Sequence, residues 1–444
     1  MALRRNLLIV LAHGLRSDAV GESGAWPLCT PNLEKLIGRG LRLVATSACP
    51  ADRGGMVSLL SGLHARQHGY VAESDTRVCC DGWPALLRSA GYFVAGVGCV
   101  DLIEPWLNDA VVVESPDTLE SSSCAYLAAI RTKGIYDAVV QQRRQRMRYG
   151  PFEPDRLLLE PDDDIDGFIG RQAQQMLDKL PADRPWALIV IFSGPGNDLP
   201  PPSLYDGVVS VESVEHGFAP ADLASLDSLV ELDYPRVLLQ RLERHSIGRI
   251  RADYLGRVSL IDYEIGQMVS HVEGRSDSDR TWFVLAADRG HLLGEHGIVG
   301  HRSFLAGSID VPAVIAPPTP AKAQTADWLV STVDVAATIA RLGGCDAPKT
   351  MAGRSLLPVL AGEPLADGKH TGCLSEFGRR LMLETERYKI VFDTETHRAL
   401  GMYDLLNDSD EKKNLIETMV GRNLVDAMRW RVGDALLPLR SVPA

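Results

Sequence analysis

Near its N-terminus the chain reads NLLIVLAHG (residues 6–14), in which an unbroken apolar run from Leu7 to Ala12 precedes a histidine and a glycine. A strand covered by helices on both faces is apolar at every position, whereas a half-exposed strand alternates. The apolar run is shorter than the core of a secretory leader, and no small-residue cleavage site follows it. We therefore predict a fully buried first strand of an α/β protein.

Five further short apolar runs follow the first one, and longer segments with helical periodicity separate them. The runs are LRLVAT (41–46), YFVAGVG (92–98), ALIVIF (187–192), TWFVLAA (281–287) and AVIAP (313–317). Strands that alternate with helices predict a mostly parallel sheet with both faces covered. Ligands bind such sheets beyond the carboxyl ends of the strands. We therefore expect ligand-binding residues in the loops that follow Ala12, Thr46, Gly98, Phe192 and Ala287.

The pattern changes after about residue 345. RRLMLETERYKIVFD (379–393) alternates like two short strands, and DEKKNLIETMVGRNLVDAMRWRV (410–432) has the period of an amphipathic helix. We predict an α/β domain over residues 1–345 and a small α+β domain over residues 346–444. Residues 102–159 and 195–239 lack a clear pattern and are predicted to form long irregular loops.

The composition excludes several classes of protein. The 444 residues carry a formal net charge of −12, which disfavours a nucleic-acid partner. One basic run, RRQRMR (143–148), is predicted to be a solvated helix face rather than a phosphate site. No apolar run reaches the ~18 residues of a membrane span. The eight cysteines show no disulfide framework, so we predict a cytoplasmic protein without a membrane partner.

In this order, several segments resemble the sulfatase family of the alkaline phosphatase superfamily. The resemblance rests on NLLIVLAHGLRSDAVG (6–21), TPNLEKLIGRGLRL (30–43), SLLSGLHARQHGY (58–70), DRGHLLGEHGIVGHRSFLAGSIDVPAVIAPP (288–318), MAGRSLLPVLAG (351–362) and MYDLLNDSDEKKNL (402–415). It implies a mixed, mostly parallel sheet sandwiched by helices, followed by a smaller C-terminal domain. In active members a cysteine oxidised to formylglycine attacks sulfur, and a calcium-type cation neutralises the sulfate.

The family's cation ligands are largely replaced in this chain. Where the opening loop of the family has two aspartates, this sequence has His13 and Gly14. Where the late segment has an aspartate followed by asparagine or histidine, it has Asp288 and Arg289. Asp288 alone is unchanged, and the resemblance therefore implies a dismantled calcium site.

The family's charged groups around the sulfate are replaced as well. The lysine and histidine after the third strand correspond to Cys99 and Asp101, the histidine of a Pro-His pair to Gly196, and a late lysine to His301. Positive charge at these positions binds the sulfate and protonates the leaving oxygen in the family. Asp101 and His301 are the two replacements that retain a group capable of acid or base chemistry.

The nucleophile position lies in ACPADRGGMVSLLSG (48–62). An alignment without gaps puts Asp52 on the family's cysteine. The rival alignment uses CPADR as a C-x-A-x-R modification motif, with Cys49 as nucleophile and Arg53 as its partner, and it needs three extra residues before the helix. The carboxylate of Asp52 cannot become an aldehyde, and its candidate catalytic roles are those of a metal ligand or a nucleophile. We predict that Asp52 is a helix N-cap, a role compatible with metal ligation.

Our favoured hypothesis is a catalytically inactive family member that needs no cofactor and binds an anionic small molecule or a protein partner. The Arg289 guanidinium would then replace the missing cation, because it can pair with carboxylates in bidentate geometry. Arg16 and Arg53 are further candidates for anion binding.

Two enzymatic alternatives remain open. In the first, His13, Asp52 and Asp288 hold a divalent metal such as zinc, manganese or iron, with Asp101 and His301 as acid or base. That protein would hydrolyse sulfate, phosphate or phosphonate esters. In the second, Cys49 becomes formylglycine and the chain is an active sulfatase.

Overall fold

The computed structural model describes residues 5–22, 25–27, 29–70, 82–113, 124–150, 156–215, 230–326, 328–365 and 368–433, without the side chains of Asp52 and Met147. Its strands are β1 (Asn6–His13), β2 (Leu41–Thr46), β3 (Phe93–Gly98), β4 (Asp109–Val112), β5 (Trp186–Pro195), β6 (Thr281–Ala287), β7 (Leu292–Leu293), β8 (Val299–Gly300), β9 (Asp310–Ala316), β10 (Gln324–Thr325), β11 (Cys373–Phe377), β12 (Arg380–Glu384), β13 (Tyr388–Asp393) and β14 (Ala399–Asp404).

The described residues form fourteen α-helices, of which two groups pack beside the large sheet. They are α1 (Pro31–Ile37), α2 (Asp52–Ser61), α3 (Ala65–His68), α4 (Trp83–Ser89), α5 (Ala125–Thr132), α6 (Tyr136–Tyr149), α7 (Ile165–Lys179), α8 (Val211–Val214), α9 (Arg236–Leu239), α10 (Arg244–Glu273), α11 (Ala306–Ile309), α12 (Thr332–Leu342), α13 (Leu357–Leu360) and α14 (Met419–Arg431). The first group is centred on α10, which packs against α1, α7 and α8. The second group is centred on α12, which packs against α2 and α4. Within the described chain, no helix is long and apolar enough to cross a bilayer.

An eight-stranded sheet forms the centre of the fold, in the order β10-β2-β9-β6-β1-β5-β3-β4. Strand β1 lies in its middle and pairs in parallel with both β5 and β6. Strand β9 is antiparallel to β6 and β2, so the sheet is mixed but mostly parallel. Every residue of β1 except His13 is buried, because helices cover both faces. This confirms the predicted fold class and the predicted first strand.

The segment predicted as a long irregular loop at residues 102–159 contains β4, α5 and α6. The basic run lies on α6, and its arginines divide between two environments. Arg143 and Arg146 are only 5% and 7% exposed, whereas Arg144 and Arg148 are exposed. The prediction of a solvated face was therefore wrong for two of the arginines. Positions three apart share one side of a helix, and here that side is covered.

The C-terminal part contains a four-stranded antiparallel sheet in the order β11-β12-β13-β14, together with helix α14. The two predicted strands are confirmed, and the flanking β11 and β14 were missed. Side chains alternate along β12: Leu381 and Leu383 join a small core that includes Met428 of α14, whereas Met382 joins the main core. The predicted helix was too long, because Thr418 caps α14 by accepting from Gly421 N. The domain boundary at residues 345 and 346 stays a prediction.

A buried carboxyl group between α7 and α10 makes stability depend on pH. Glu264 is 4% exposed, packs against Gly170 and accepts a 3.2 Å hydrogen bond from Gln174 Nε2. Burial raises the pKa of Glu264 to about 7. The unfolded chain therefore loses this proton at lower pH than the folded chain, and stability falls as the pH rises through this window.

We predict that Glu264→Gln removes this loss. The free energy of unfolding of the variant, relative to the parent, should increase by on the order of 2 kcal/mol between about pH 4.5 and about pH 8, as urea denaturation would show. Glu273→Gln on the same helix is the matched control, since the Glu273 side chain is 58% exposed. If the Glu264→Gln and parent curves run parallel over this range, the carboxyl group is ionised in the folded protein.

Candidate active-site region

Three strand ends bring the predicted loops together. Because β1 lies between β5 and β6, Ala12 is in register with both Phe192 and Ala287. Beyond this point Gly196 N donates to His13 O at 3.0 Å, and Asp288 N donates to Ala12 O at 3.4 Å. The loops after β1, β5 and β6 therefore form one surface at the carboxyl edge of the sheet, as the sequence predicted.

The Asp288 carboxylate is fully buried and has a protein donor at each oxygen. His13 Nδ1 lies 2.7 Å from Asp288 Oδ2, and Gly14 N donates to Asp288 Oδ1 at 3.2 Å. Gly14 has a φ of +74°, a left-handed conformation that favours glycine. This conformation directs the Gly14 N–H at the carboxylate, so glycine at position 14 contributes directly to holding Asp288.

The Arg289 guanidinium lies against the two glycines that replace family side chains. Its Nη1 atom is 2.8 Å from the position that a Cβ would take at Gly14 and 3.1 Å from that position at Gly196. Arg289 is 4% exposed, and its Nη1 donates to Gly290 O at 3.3 Å. The guanidinium thus uses space that an aspartate at position 14 or a histidine at position 196 would need.

The residues at this edge of the sheet do not fit the family's calcium. Calcium takes about six to eight oxygen ligands. Asp288 supplies a carboxylate, but the neighbouring groups are an imidazole, a backbone N–H and a guanidinium, of which the last two are donors. Within the described part of the chain, no group of three His, Cys, Asp or Glu side chains is arranged to hold a metal ion. The side chain of Asp52, a predicted ligand, lies outside the described residues.

Helix α2 begins at Asp52 with Ala51 as its N-cap residue, so the predicted N-cap role of Asp52 was wrong by one residue. Cys49 is fully buried, and its Sγ lies 2.7 Å from the position of a Cβ at Gly54. The thiol therefore packs into the protein interior against the first turn of α2. The segment of residues 48–62 nevertheless adjoins the site, because Ser47 Oγ donates to both Cys49 O and Asp288 O, at 3.0 Å and 2.5 Å.

The other predicted anion ligands have carboxylate partners. Arg53 Nη2 donates to Asp101 Oδ2 at 2.8 Å, in a pair that is 49% and 34% exposed. Arg16 is buried and binds Asp18 and Glu295, each at 2.7 Å. Burial lowers the pKa of Arg16, but the two carboxylates raise it more, so it lies above its usual range. The roles of these residues as anion ligands stay predictions.

A stack of three rings extends the site on the β5 side. The His291 ring lies between Tyr254 and His301, with centroid separations of 6.4 and 6.1 Å. His301 Nδ1 is 3.3 Å from Asp233 Oδ2. Tyr254 Oη donates to Gly14 O at 2.9 Å, which joins this stack to the opening loop. His301, the predicted acid or base, is therefore part of a larger aromatic and carboxylate group.

Asp198 orders this stack from the loop after β5. Its Oδ1 lies 2.9 Å from His291 Nε2, and its Oδ2 accepts from Tyr234 Oη. Burial raises the pKa of Asp198, but the His291 imidazole and the Tyr234 hydroxyl lower it more, so it lies below its usual range. Asp198, His291, Tyr234 and Tyr254 were not among the site residues predicted from the sequence. The position of Asp198 just beyond a strand end was the available signal.

Family comparisons agree with the fold. Residues 5–345 match the family model described as Sulfatase. Residues 294–435 match the model described as N-sulphoglucosamine sulphohydrolase, C-terminal. Since the first match covers more than half of the chain, this protein belongs to the sulfatase family.

Similar proteins include sulfatases and phosphonate hydrolases. The N-acetylglucosamine-6-O-sulfatase of Bacteroides thetaiotaomicron is 23% identical over 475 residues, covering 93% of this chain and 82% of its own. The choline-sulfatase of Rhizobium meliloti is 24% identical, covering 80% of this chain and 72% of its own. The phosphonate monoester hydrolase structure from Silicibacter pomeroyi has a TM-score of 0.77 at 17% identity, covering 97% of this chain and 95% of its own. The structural likeness establishes the fold.

We predict that Gly14→Ala destabilises the protein by about 1–3 kcal/mol more than Gly207→Ala does. Both glycines have positive φ, at +74° and +79°, so both substitutions strain the backbone. A Cβ at position 14 would also meet Gly196 Cα and Arg289 Nη1, whereas nothing lies within 4 Å at position 207. Urea denaturation measures the difference. Equal losses would mean that the contact between Arg289 and the glycines is loose.

We predict that Cys49→Ala leaves the binding of sulfate and methyl sulfate unchanged and lowers stability by about 1–2 kcal/mol, because the thiol is a buried packing group. Isothermal titration calorimetry and urea denaturation measure the two effects. In the parent protein, a tryptic mass spectrum should show an unmodified cysteine at this position. Formylglycine at position 49 would instead support the active-sulfatase alternative.

Proposed function

We propose that this protein binds an anionic group at the position of the family's active site without a divalent cation and without formylglycine chemistry. The observation that carries the proposal is the placement of the Arg289 guanidinium against Gly14 and Gly196. It supplies a permanent positive charge next in sequence to Asp288, where the family has a metal ligand. An anionic small molecule, or an anionic group on a protein partner, is the ligand that this chemistry favours.

The state of Asp288 supports the same proposal. Both of its oxygens already accept hydrogen bonds from the protein, from His13 Nδ1 and Gly14 N. A metal ion at Asp288 would have to share these oxygens with two protein donors and lie near the positively charged guanidinium of Arg289. Arginine suits tetrahedral oxyanions, because its N–H groups form a planar fork that donates two parallel hydrogen bonds.

The supporting experiment measures binding and metal content together. Purified protein should contain well under about one divalent ion per chain by inductively coupled plasma mass spectrometry, and chelation should leave methyl sulfate binding unchanged. Arg289→Gln should weaken methyl sulfate binding by about tenfold or more, since a charged hydrogen bond contributes roughly 1.5–3 kcal/mol. Arg341→Gln is the control, because Arg341 pairs with Asp346 at the surface.

Hydrolysis assays decide between this proposal and the metal-dependent alternative. Aryl sulfates and aryl phosphates should remain intact with and without added calcium, zinc or manganese. A stoichiometric bound metal, or hydrolysis that chelation abolishes, would contradict the proposal. That outcome would favour an esterase that uses His13, Asp52 and Asp288.

A further inference from the structure

Helix α6 carries two buried arginines that the site described above does not use. Arg143 and Arg146 are 5% and 7% exposed and lie three residues apart, on one side of the helix. Among the described residues, neither guanidinium has an ion-pair partner. Nε and Nη2 of Arg143 and Nε of Arg146 are buried without a hydrogen-bond acceptor in that part of the chain. The Arg143 guanidinium lies 5.5 Å from the centroid of the Tyr126 ring.

The carboxylates closest to Arg143 and Arg146 are engaged elsewhere. Asp164 lines the cavity beside Arg143, and both of its oxygens accept from Arg257, at 3.0 and 3.2 Å. Asp198 and Asp253 line the cavity beside Arg146. Asp198 is bound to His291 as described above.

Asp253 accepts a 2.7 Å hydrogen bond from Arg156 Nη2. Burial lowers the pKa of Arg146, and the carboxylates of Asp198 and Asp253 offset this only in part. A buried cation without a hydrogen-bonded counter-charge is destabilising. A bound anionic ligand would supply this counter-charge, and it would explain why both arginines are buried without an ion-pair partner among the described residues.

Both arginines face the loop that leads from β5 toward the family's active-site position. Leu199 lines the cavities of both arginines, and Pro195 and Asp198 line that of Arg146. Gly196 in the same loop lies against the Arg289 guanidinium. One short segment of backbone therefore separates the Arg289 position from the buried face of α6.

We propose that Arg143 and Arg146 form a second anion subsite, which binds a second tetrahedral oxyanion of a ligand whose first anionic group lies at Arg289. The ligand class is a small molecule with two sulfate or phosphate ester groups. The inference rests on the proposed function for the first group. The planar guanidinium groups of Arg143 and Arg146 can donate paired hydrogen bonds to the second anionic group. The Tyr126 ring provides an apolar surface beside Arg143.

The test compares one-group and two-group probes of the same chemistry at constant ionic strength. The sulfate arm uses methyl sulfate and ethylene glycol bis-sulfate, and the phosphate arm uses methyl phosphate and ethylene glycol bisphosphate. Isothermal titration calorimetry should show that the two-group probe of at least one arm binds about tenfold more tightly than its one-group partner, a difference of about 1.4 kcal/mol. The arm with the larger ratio of two-group to one-group affinity shows whether the ligand carries sulfate or phosphate esters.

Variants separate the two subsites. Arg143→Gln with Arg146→Gln should reduce the ratio of two-group to one-group affinity to about one, while methyl sulfate binding is retained. Arg289→Gln should weaken both kinds of probe, and its failure to do so would contradict the proposed function rather than the second subsite. Arg144→Gln with Arg148→Gln is the matched control, because it removes the same charge from the exposed side of α6. A ratio that survives the buried pair of substitutions, or falls equally with the exposed pair, overturns the second subsite.

A stability measurement excludes a purely structural role. Arg143→Met and Arg146→Met replace a buried cation with an apolar chain of similar length, and each should leave the Tm unchanged or raise it. Binding of the two-group probe should raise the Tm of the parent more than that of either variant. A large fall in Tm on either substitution would show that the guanidinium is needed to hold the fold and would overturn the proposal.

Discussion

The buried carboxylate of Asp288 is the constraint that organises the whole site. An ionised carboxylate removed from water is strongly destabilising unless charges or donors inside the protein compensate it. In the resembled family a calcium-type cation supplies that compensation. In this chain an imidazole and a backbone N–H bind the two oxygens, and a guanidinium lies close by. In this structure the groups that compensate the Asp288 carboxylate belong to the protein itself.

The residues at positions 14, 196 and 289 depend on one another in their packing. A guanidinium is larger than a calcium ion and is attached to the chain, so it needs space along its stem. That space exists because positions 14 and 196 are glycines whose backbones approach closely: a Cβ at Gly14 would lie 2.7 Å from Gly196 Cα. Restoring a metal ligand at either position would therefore require Arg289 to move. The position of the Arg289 guanidinium and the absence of a side chain at positions 14 and 196 are therefore sterically coupled.

The strands of the large sheet were predictable because their apolar residues are continuous in sequence. The small strands β4 and β10 were missed because four-residue and two-residue edge segments give almost no periodic signal. The burial of Arg143 and Arg146 could not be predicted for a different reason. From Gln141 to Arg148 helix α6 has a single apolar residue, so no apolar periodicity marks the buried side, and part of the loop that covers it (Leu199 and Pro200) is distant in sequence.

The site was predictable in part. The family resemblance identified His13, Asp288 and Arg289, which the structure brings together. It gave no signal for Asp198, His291 or Tyr254, because these residues matter through their contacts with one another. For Asp52 the sequence indicated a helix start, and the structure confirms the helix while assigning the cap to Ala51. Side-chain hydrogen bonding at a helix end depends on backbone geometry that a residue type does not specify by itself.

The buried arginines of this protein differ in how their charge is balanced, and that difference separates structural from ligand-binding roles. Arg257 is fully buried and donates to Asp164, to Asp166 and to Pro200 O. Its charge is neutralised within the fold, and the two acids raise its pKa well above its usual range, although burial opposes this.

Arg143 and Asp164 line the same cavity, and both carboxylate oxygens of Asp164 accept hydrogen bonds from Arg257. A fold that compensates one buried guanidinium so completely has the means to compensate its neighbour. The absence of such compensation at Arg143, among the described residues, is therefore more consistent with a position prepared for an external anion than with a defect in packing.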